Sequence, residues 1–136
     1  MTDTDTDFTE AQPASTAVDH YVAFWNASTV DEQRRLAGMT FVDGITCHAP
    51  VGVLHGAGAL IGFRNQFAEN FPDYVFRPRS RPESHHGRTR LSWELIVAGA
   101  SFATGTDVLQ HDDDGRITAI ITFLDRAPEG FAQAHH

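Results

Sequence analysis

Apolar residues at Val18, Tyr21, Val22 and Trp25 recur at helical spacing and form one stripe. Thr16 stands where a cap would, Asp19 falls in the first turn where negative charge suits the helix dipole, and Asn26-Ala27-Ser28 breaks the pattern. Thr29-Val30-Asp31-Glu32 has the form of a capping box, so a second short helix is expected, with Gly38 as its stop. A short strand then runs from about Gly44 to Ala49 and ends at Pro50, with Pro50-Val51-Gly52 as a turn. His55-Gly56 leads into a third helix, in which Leu60, Arg64, Phe67 and Phe71 share a face and which Pro72 ends.

The period changes in the second half. Tyr74 to His85 alternates, and Pro78 and Pro82 imply a bent or edge strand. After a turn at His86-Gly87, Arg90 to Val97 alternates with Leu91, Trp93, Leu95 and Val97 on one face. Gly99 turns the chain, Ser101 to His111 is the next strand, Asp114-Gly115 is a hairpin signal, and Ile117 to Leu124 is apolar enough to be a central strand. Three helices followed by strands predict an α+β fold, with the helices packed on one side of an antiparallel sheet. Glycines and prolines in the strands suit a strong curve, and a sheet curved around a helix leaves a pocket between them.

Composition narrows this picture. With 136 residues the chain has room for one domain, and 41% hydrophobic residues with ten Phe, two Trp and two Tyr can both fill a core and line an apolar pocket. The domain is expected over residues 16–127, between an acidic disordered tail at 1–15, which carries Thr2-Asp3-Thr4-Asp5-Thr6-Asp7, and a flexible tail at 128–136. A formal net charge of −8 argues against binding to nucleic acid or to an anionic membrane surface. Cys47 is the single cysteine, so no internal disulfide forms. The sequence has neither a signal-peptide pattern nor a membrane-length apolar run, and a cytoplasmic location is the expectation.

Asp107 is the first candidate for chemistry. Strand alternation puts it on the face of Ala103, Gly105 and Leu109, whose small members leave space before the carboxylate. On an enclosed apolar face such a carboxyl has a raised pKa and serves as acid or base near neutrality; on a polar outer face it is an ordinary surface Asp. Tyr21, on the first helix's stripe, either donates into a pocket or is a core tyrosine with a satisfied hydroxyl. The eight histidines lack metal-ligand spacing, and Asp112-Asp113-Asp114-Gly115 lacks an EF-hand's alternating ligands, so no metal is expected. Arg77, Arg79 and Arg81, with Arg88 and Arg90 beyond, read as a solvated outer face or an anion site. Cys47 has no basic partner fixed by sequence.

Tyr21-Val22-Ala23-Phe24-Trp25-Asn26-Ala27, Pro50-Val51-Gly52 after a strand, Gly105-Thr106-Asp107, and the last strand from Gly115-Arg116-Ile117 to Phe123 together resemble the SnoaL-like and ketosteroid isomerase-like branch of the nuclear transport factor 2-like superfamily. The resemblance covers about residues 16–126 and implies a cone-shaped barrel, a hydrophobic small-molecule ligand and no cofactor; a homodimer is expected because the strand Arg90 to Val97 and the last strand carry apolar residues on both faces, and only one face can cover the helices. Ketosteroid isomerases, a worked case of pKa tuning, use an Asp base with a Tyr and a protonated Asp at the oxyanion. By motif position the oxyanion Tyr falls on Tyr21 and the oxyanion Asp on Asp107, while the base falls on Ala49, which cannot accept a proton; His48 beside it should face away. SnoaL-like cyclases work mainly through one Asp, at the position of Asp107, and tolerate Ala49. Limonene-type epoxide hydrolases carry an Arg where this chain has Gly105. The resemblance therefore implies a cofactor-free cyclase, isomerase or dehydratase on a polyketide-like or steroid-like substrate, with Asp107 and Tyr21 catalytic and Trp25, His55, Phe63, Phe67 and Trp93 binding substrate. The alternatives are a non-catalytic binding module and a domain that pairs through its open sheet face.

Overall fold

A computed structural model describes residues 16–128, and the two tails expected at the ends lie essentially outside these. Helix α1 covers residues 16–26. It buries Val18, Tyr21 and Phe24, so the inward stripe includes Phe24 as well as the residues that the spacing marks. Helix α2, Val30–Thr40, starts on the expected cap, with the Glu32 N–H donating to Thr29 Oγ1 at 3.2 Å. It runs past Gly38 because Leu36, Ala37 and Thr40 are buried, and packing outweighs the local cost of a glycine.

Strand β1, Phe41–Ala49, turns at Pro50-Val51 into β2, Gly52–His55, a hairpin partner where the residue pattern predicts only a lead-in to the helix. Helix α3 spans Ala57–Asn70. The alternating stretch from Tyr74 to His85 divides into β3, Val75–Pro78, and β4, Glu83–His85, both pairing with β5, Arg88–Val97. Strands β6, Ala100–His111, and β7, Ile117–Arg126, complete the sheet. The loops at His86-Gly87 and Ala98-Gly99 have positive φ at both residues (51° and 74°; 52° and 80°). That is the requirement of a two-residue hairpin whose twist matches its strands, and glycine meets it without strain.

The sheet order is β2-β1-β7-β6-β5-β3, with β4 also on β5. This corrects two expectations. The sheet is mixed rather than antiparallel, because β1 lies parallel to β7. It is also open, with β2 and β3 at its ends, so its hydrogen bonding does not close a barrel. Among the described residues the first strand therefore pairs with the last, an arrangement that local patterning does not encode.

Side-chain amides lock the helices over one face of this sheet. Asn26 at the end of α1 exchanges two hydrogen bonds with the Phe76 backbone of β3, at 2.8 and 2.9 Å. Gln33 of α2 and Asn65 of α3 bond each other reciprocally at 2.9 and 3.0 Å, and Gln33 also donates to the Ala27 carbonyl at 2.8 Å. Of these Gln33 is buried, and polar groups so paired fix geometry rather than merely filling space. Phe24, Ile45, Leu91, Leu109, Ile117 and Ile120 are fully buried beneath them. Among the described residues no helix is long and apolar enough to cross a membrane.

Candidate active site

Between the helices and the sheet lies a cavity of about 490 Å³. Its wall is mostly aromatic and aliphatic, and its exposed lining residues Pro50, Val51 and Phe63 mark the mouth. One strongly polar feature stands in the sheet wall. Asp107 projects from the inner face of β6, directly opposite Leu91 on β5 and Thr122 on β7. It is only 3% exposed.

Three donors hold this carboxyl. The Tyr21 hydroxyl donates to Oδ2 at 2.5 Å, while the Trp93 indole N–H and the Thr122 hydroxyl each donate to Oδ1 at 2.8 Å. Each donor is placed by a different element. Thr122 is the cross-strand neighbour; Trp93 lies two residues along β5 from the opposing Leu91; Tyr21 comes down from α1. Gly105 makes the Trp93 contact possible. Trp93 pairs with Gly105 across the strands, and a Cβ there would stand 2.2 Å from Cζ2 of the indole and 2.7 Å from the Phe123 carbonyl oxygen. Only the absence of a side chain lets the indole lie flat enough to reach Asp107.

Hydrogen bonds from three donors favour the carboxylate, but burial opposes the charge and outweighs them, so the Asp107 pKa stands above its ordinary value. The same burial, with the nearby Asp107 charge, pushes the Tyr21 phenol well up and the Cys47 thiol to about 12. Cys47 is therefore a neutral wall residue at physiological pH, which removes it as a nucleophile. Among the described residues no three His, Cys, Asp or Glu side chains converge as metal ligands.

Of the residues singled out from the sequence, Tyr21, Trp25, Phe63, Phe67, Trp93 and Asp107 all line this one cavity. His55 does not. It is exposed at the end of β2, where pairing with Thr46 and strand alternation turn Leu54 inward in its place. Ala49 lines the wall and His48 beside it is exposed, the orientation that alternation predicts. Sequence reasoning missed Thr122, Arg64, Tyr74 and Phe102 as wall residues. Phe102 is inward because the β5–β6 register shifts between Leu95 and Ile96, leaving it unmatched; its ring packs on Phe71 with centroids 4.7 Å apart. The arginines of β3 and β5 are exposed, and Arg77 pairs with Glu94 at 3.2 Å.

No family model and no curated protein matches the chain. Solved structures do. A SnoaL-like family protein from Agrobacterium tumefaciens, provisionally named an isomerase, is 30% identical, with 83% of this chain and 97% of that one covered at a TM-score of 0.77. A protein from Sinorhizobium meliloti, provisionally named a polyketide cyclase, shares 16% identity over 79% of this chain and 94% of its own, at a TM-score of 0.63. An NTF2-like protein from Exiguobacterium shares 22% over 80% and 98%, at 0.65. The two more distant likenesses establish the NTF2-like fold alone. The identity and near-complete coverage of the first go further: this chain belongs to the SnoaL-like family.

Proposed function

We propose that the protein is a small-molecule acid/base enzyme of the SnoaL-like type, a cyclase, isomerase or dehydratase acting on a polyketide-like or steroid-like carbonyl compound. The observation that carries this reading is Asp107: a buried carboxyl in the wall of an apolar cavity, with its pKa raised by burial and its orientation fixed by three donors. In its ionised form Asp107 takes a proton from a carbon next to the substrate carbonyl, leaving an enolate. Once Asp107 carries that proton, the Tyr21 hydroxyl beside it can turn to donate to the enolate oxygen, with Trp25 in the adjoining wall. Asp107 then returns the proton to another carbon in an isomerisation, or to the alkoxide formed when the enolate carbon closes on a second carbonyl. The provisional names of the relatives, an isomerase and a polyketide cyclase, are chemistries of this kind.

Deuterium wash-in next to the carbonyl of 2-tetralone, followed by NMR, tests the reading. Wild type should exceed the buffer rate. Asp107→Asn should lose ~10²–10⁴-fold of that enhancement with little change in tetralone affinity, because the amide keeps the shape and loses the proton. Wild-type exchange no faster than buffer would instead support a binding module, the reading favoured by the methyl of Ala49 in the wall.

We also propose that two copies pair through the outer sheet face. Val53, His48, Ile121 and Val108 form one cross-strand row there, and Val53 and the neighbouring Phe123 are 50% and 57% exposed. Light scattering should give twice the chain mass of 15.0 kDa; a monomer at micromolar concentration counts against it.

A further inference from the structure

Asp107 is not the only buried charge facing the cavity. Arg64 of α3 lines it too and is 8% exposed. Its Nε donates to the Trp25 carbonyl at 3.2 Å and its Nη1 to Asn65 Oδ1 at 3.1 Å, while the guanidinium carbon stands 5.1 Å from the centre of the Tyr74 ring. Arg64 also couples to the Tyr74 hydroxyl, a neutral group, and it makes no ion pair among the described residues.

Neither acceptor requires a cation. The Trp25 carbonyl, at the end of α1, already accepts the Tyr74 hydroxyl, and Asn65 Oδ1 already accepts Gln33 Nε2 at 2.9 Å. Neutral donors thus satisfy both groups, and an apolar side chain at position 64 would leave neither orphaned. A buried cation without a counter-charge is costly, and the contact with one aromatic ring offsets only part of that cost. A guanidinium cannot shed its charge, since its pKa lies above any physiological pH. In a chain with 18 Asp and Glu residues, none is placed to pair with it among those described.

We infer that the counter-charge comes with the ligand: the cavity takes an amphipathic organic anion, a ring-bearing apolar body carrying one carboxylate, which Arg64 binds. The planar fork of the guanidinium matches a carboxylate in two parallel hydrogen bonds. The remaining wall, with its Phe, Trp and Leu side chains, takes the body. Asp107 and Arg64 line the same cavity, one from β6 and the other from α3. A substrate anchored by its carboxylate at Arg64 would present a ring carbonyl toward Asp107. The inference names a substrate class for the proposed site and rests on the cavity being where the ligand binds.

Calorimetric titration of the full chain with 2-naphthoate and its near-isostere 2-naphthamide tests it. Wild type should bind the carboxylate at least ~10-fold more tightly than the amide. Arg64→Gln should erase that preference while keeping the amide affinity, and Arg64→Lys, which keeps the charge but not the fork, should retain part of it. Asp107→Asn should keep it in full. Equal wild-type affinities, or no saturable binding of either probe, would overturn the inference, and this comparison needs no variant to fold. The preference persisting in folded Arg64→Gln would overturn it as well. Catalysis and recognition separate cleanly: wild-type exchange no faster than buffer with the naphthoate preference intact overturns only the acid/base reading, and wild-type exchange above buffer without the preference overturns only this one.

Discussion

The cavity has two buried charged side chains in facing walls, and they are accommodated in opposite ways. In the sheet wall Asp107 receives three hydrogen bonds, all from neutral donors, and can also neutralise itself by taking up a proton. In the helix wall Arg64 spends its hydrogen bonds on acceptors that other donors already serve, and it cannot lose its charge. The fold needs Asp107 to satisfy Tyr21, Trp93 and Thr122, whereas no acidic group among the described residues pairs with the charge of Arg64. A buried charge that the fold depends on and one that it merely tolerates differ in what their removal leaves behind, and that difference can be measured.

The largest effect is expected from Asp107→Leu. It leaves a phenol, an indole and a hydroxyl donor without their acceptor in an apolar wall, at ~1–3 kcal/mol for each donor that finds no water. Denaturant unfolding should show a loss of about 3 kcal/mol or more. A loss below 1 kcal/mol would mean that the three donors do not depend on the carboxyl.

A smaller, pH-dependent effect follows from the raised pKa of Asp107. Because the folded state holds the proton more tightly than the unfolded chain, its contribution to stability is complete below the unfolded value of ~3.9 and is lost as pH rises through the folded pKa. Each unit of upward displacement corresponds to ~1.4 kcal/mol. Asp107→Asn, which does not titrate, should therefore gain on wild type as pH climbs from 4 to 7 in paired thermal melts. A difference that stays constant with pH, or that moves in favour of wild type, would contradict an upward shift.

The smallest effect should come from Arg64→Met. The neutral donors already in place keep the Trp25 carbonyl and Asn65 satisfied, and an apolar side chain of similar length fills the same space. Replacing a buried ion by a packed apolar group is often neutral or stabilising, so stability should stay within ~1 kcal/mol of wild type. A loss comparable to that of Asp107→Leu would show that the charge at position 64 supports the fold after all and would erase the contrast between the two walls.

Much of this was legible along the chain because it depends on local chemistry. The N-cap at Thr29, the break at Asn26-Ala27-Ser28, the paired hairpin turns and the alternation of β5 and β6 are decided within a few residues by hydrogen-bond valence, backbone sterics and the two-residue strand period. The same period puts Asp107 on one face with Ala103, Gly105 and Leu109 and turns His48 opposite to Ala49, while which face points inward was decided by the fold. What only the tertiary structure decided was long-range. The parallel pairing of β1 with β7 makes the sheet mixed, and sequence alternation carries no information on strand direction. A register shift in the β5–β6 pair left Phe102 unmatched, and a bulge of that kind follows from the fit between two strands rather than from either one alone. Gly105 reads locally as space before the Asp107 carboxylate, and what fills that space emerges only when Trp93 lies across it. Arg64 falls on a helix face shared with Leu60 and Phe67, where periodicity marks it as inward but cannot say that both of its acceptors are already taken by Tyr74 and Gln33, residues that the sequence keeps 10 and 31 positions away and that folding brings to the same two oxygens.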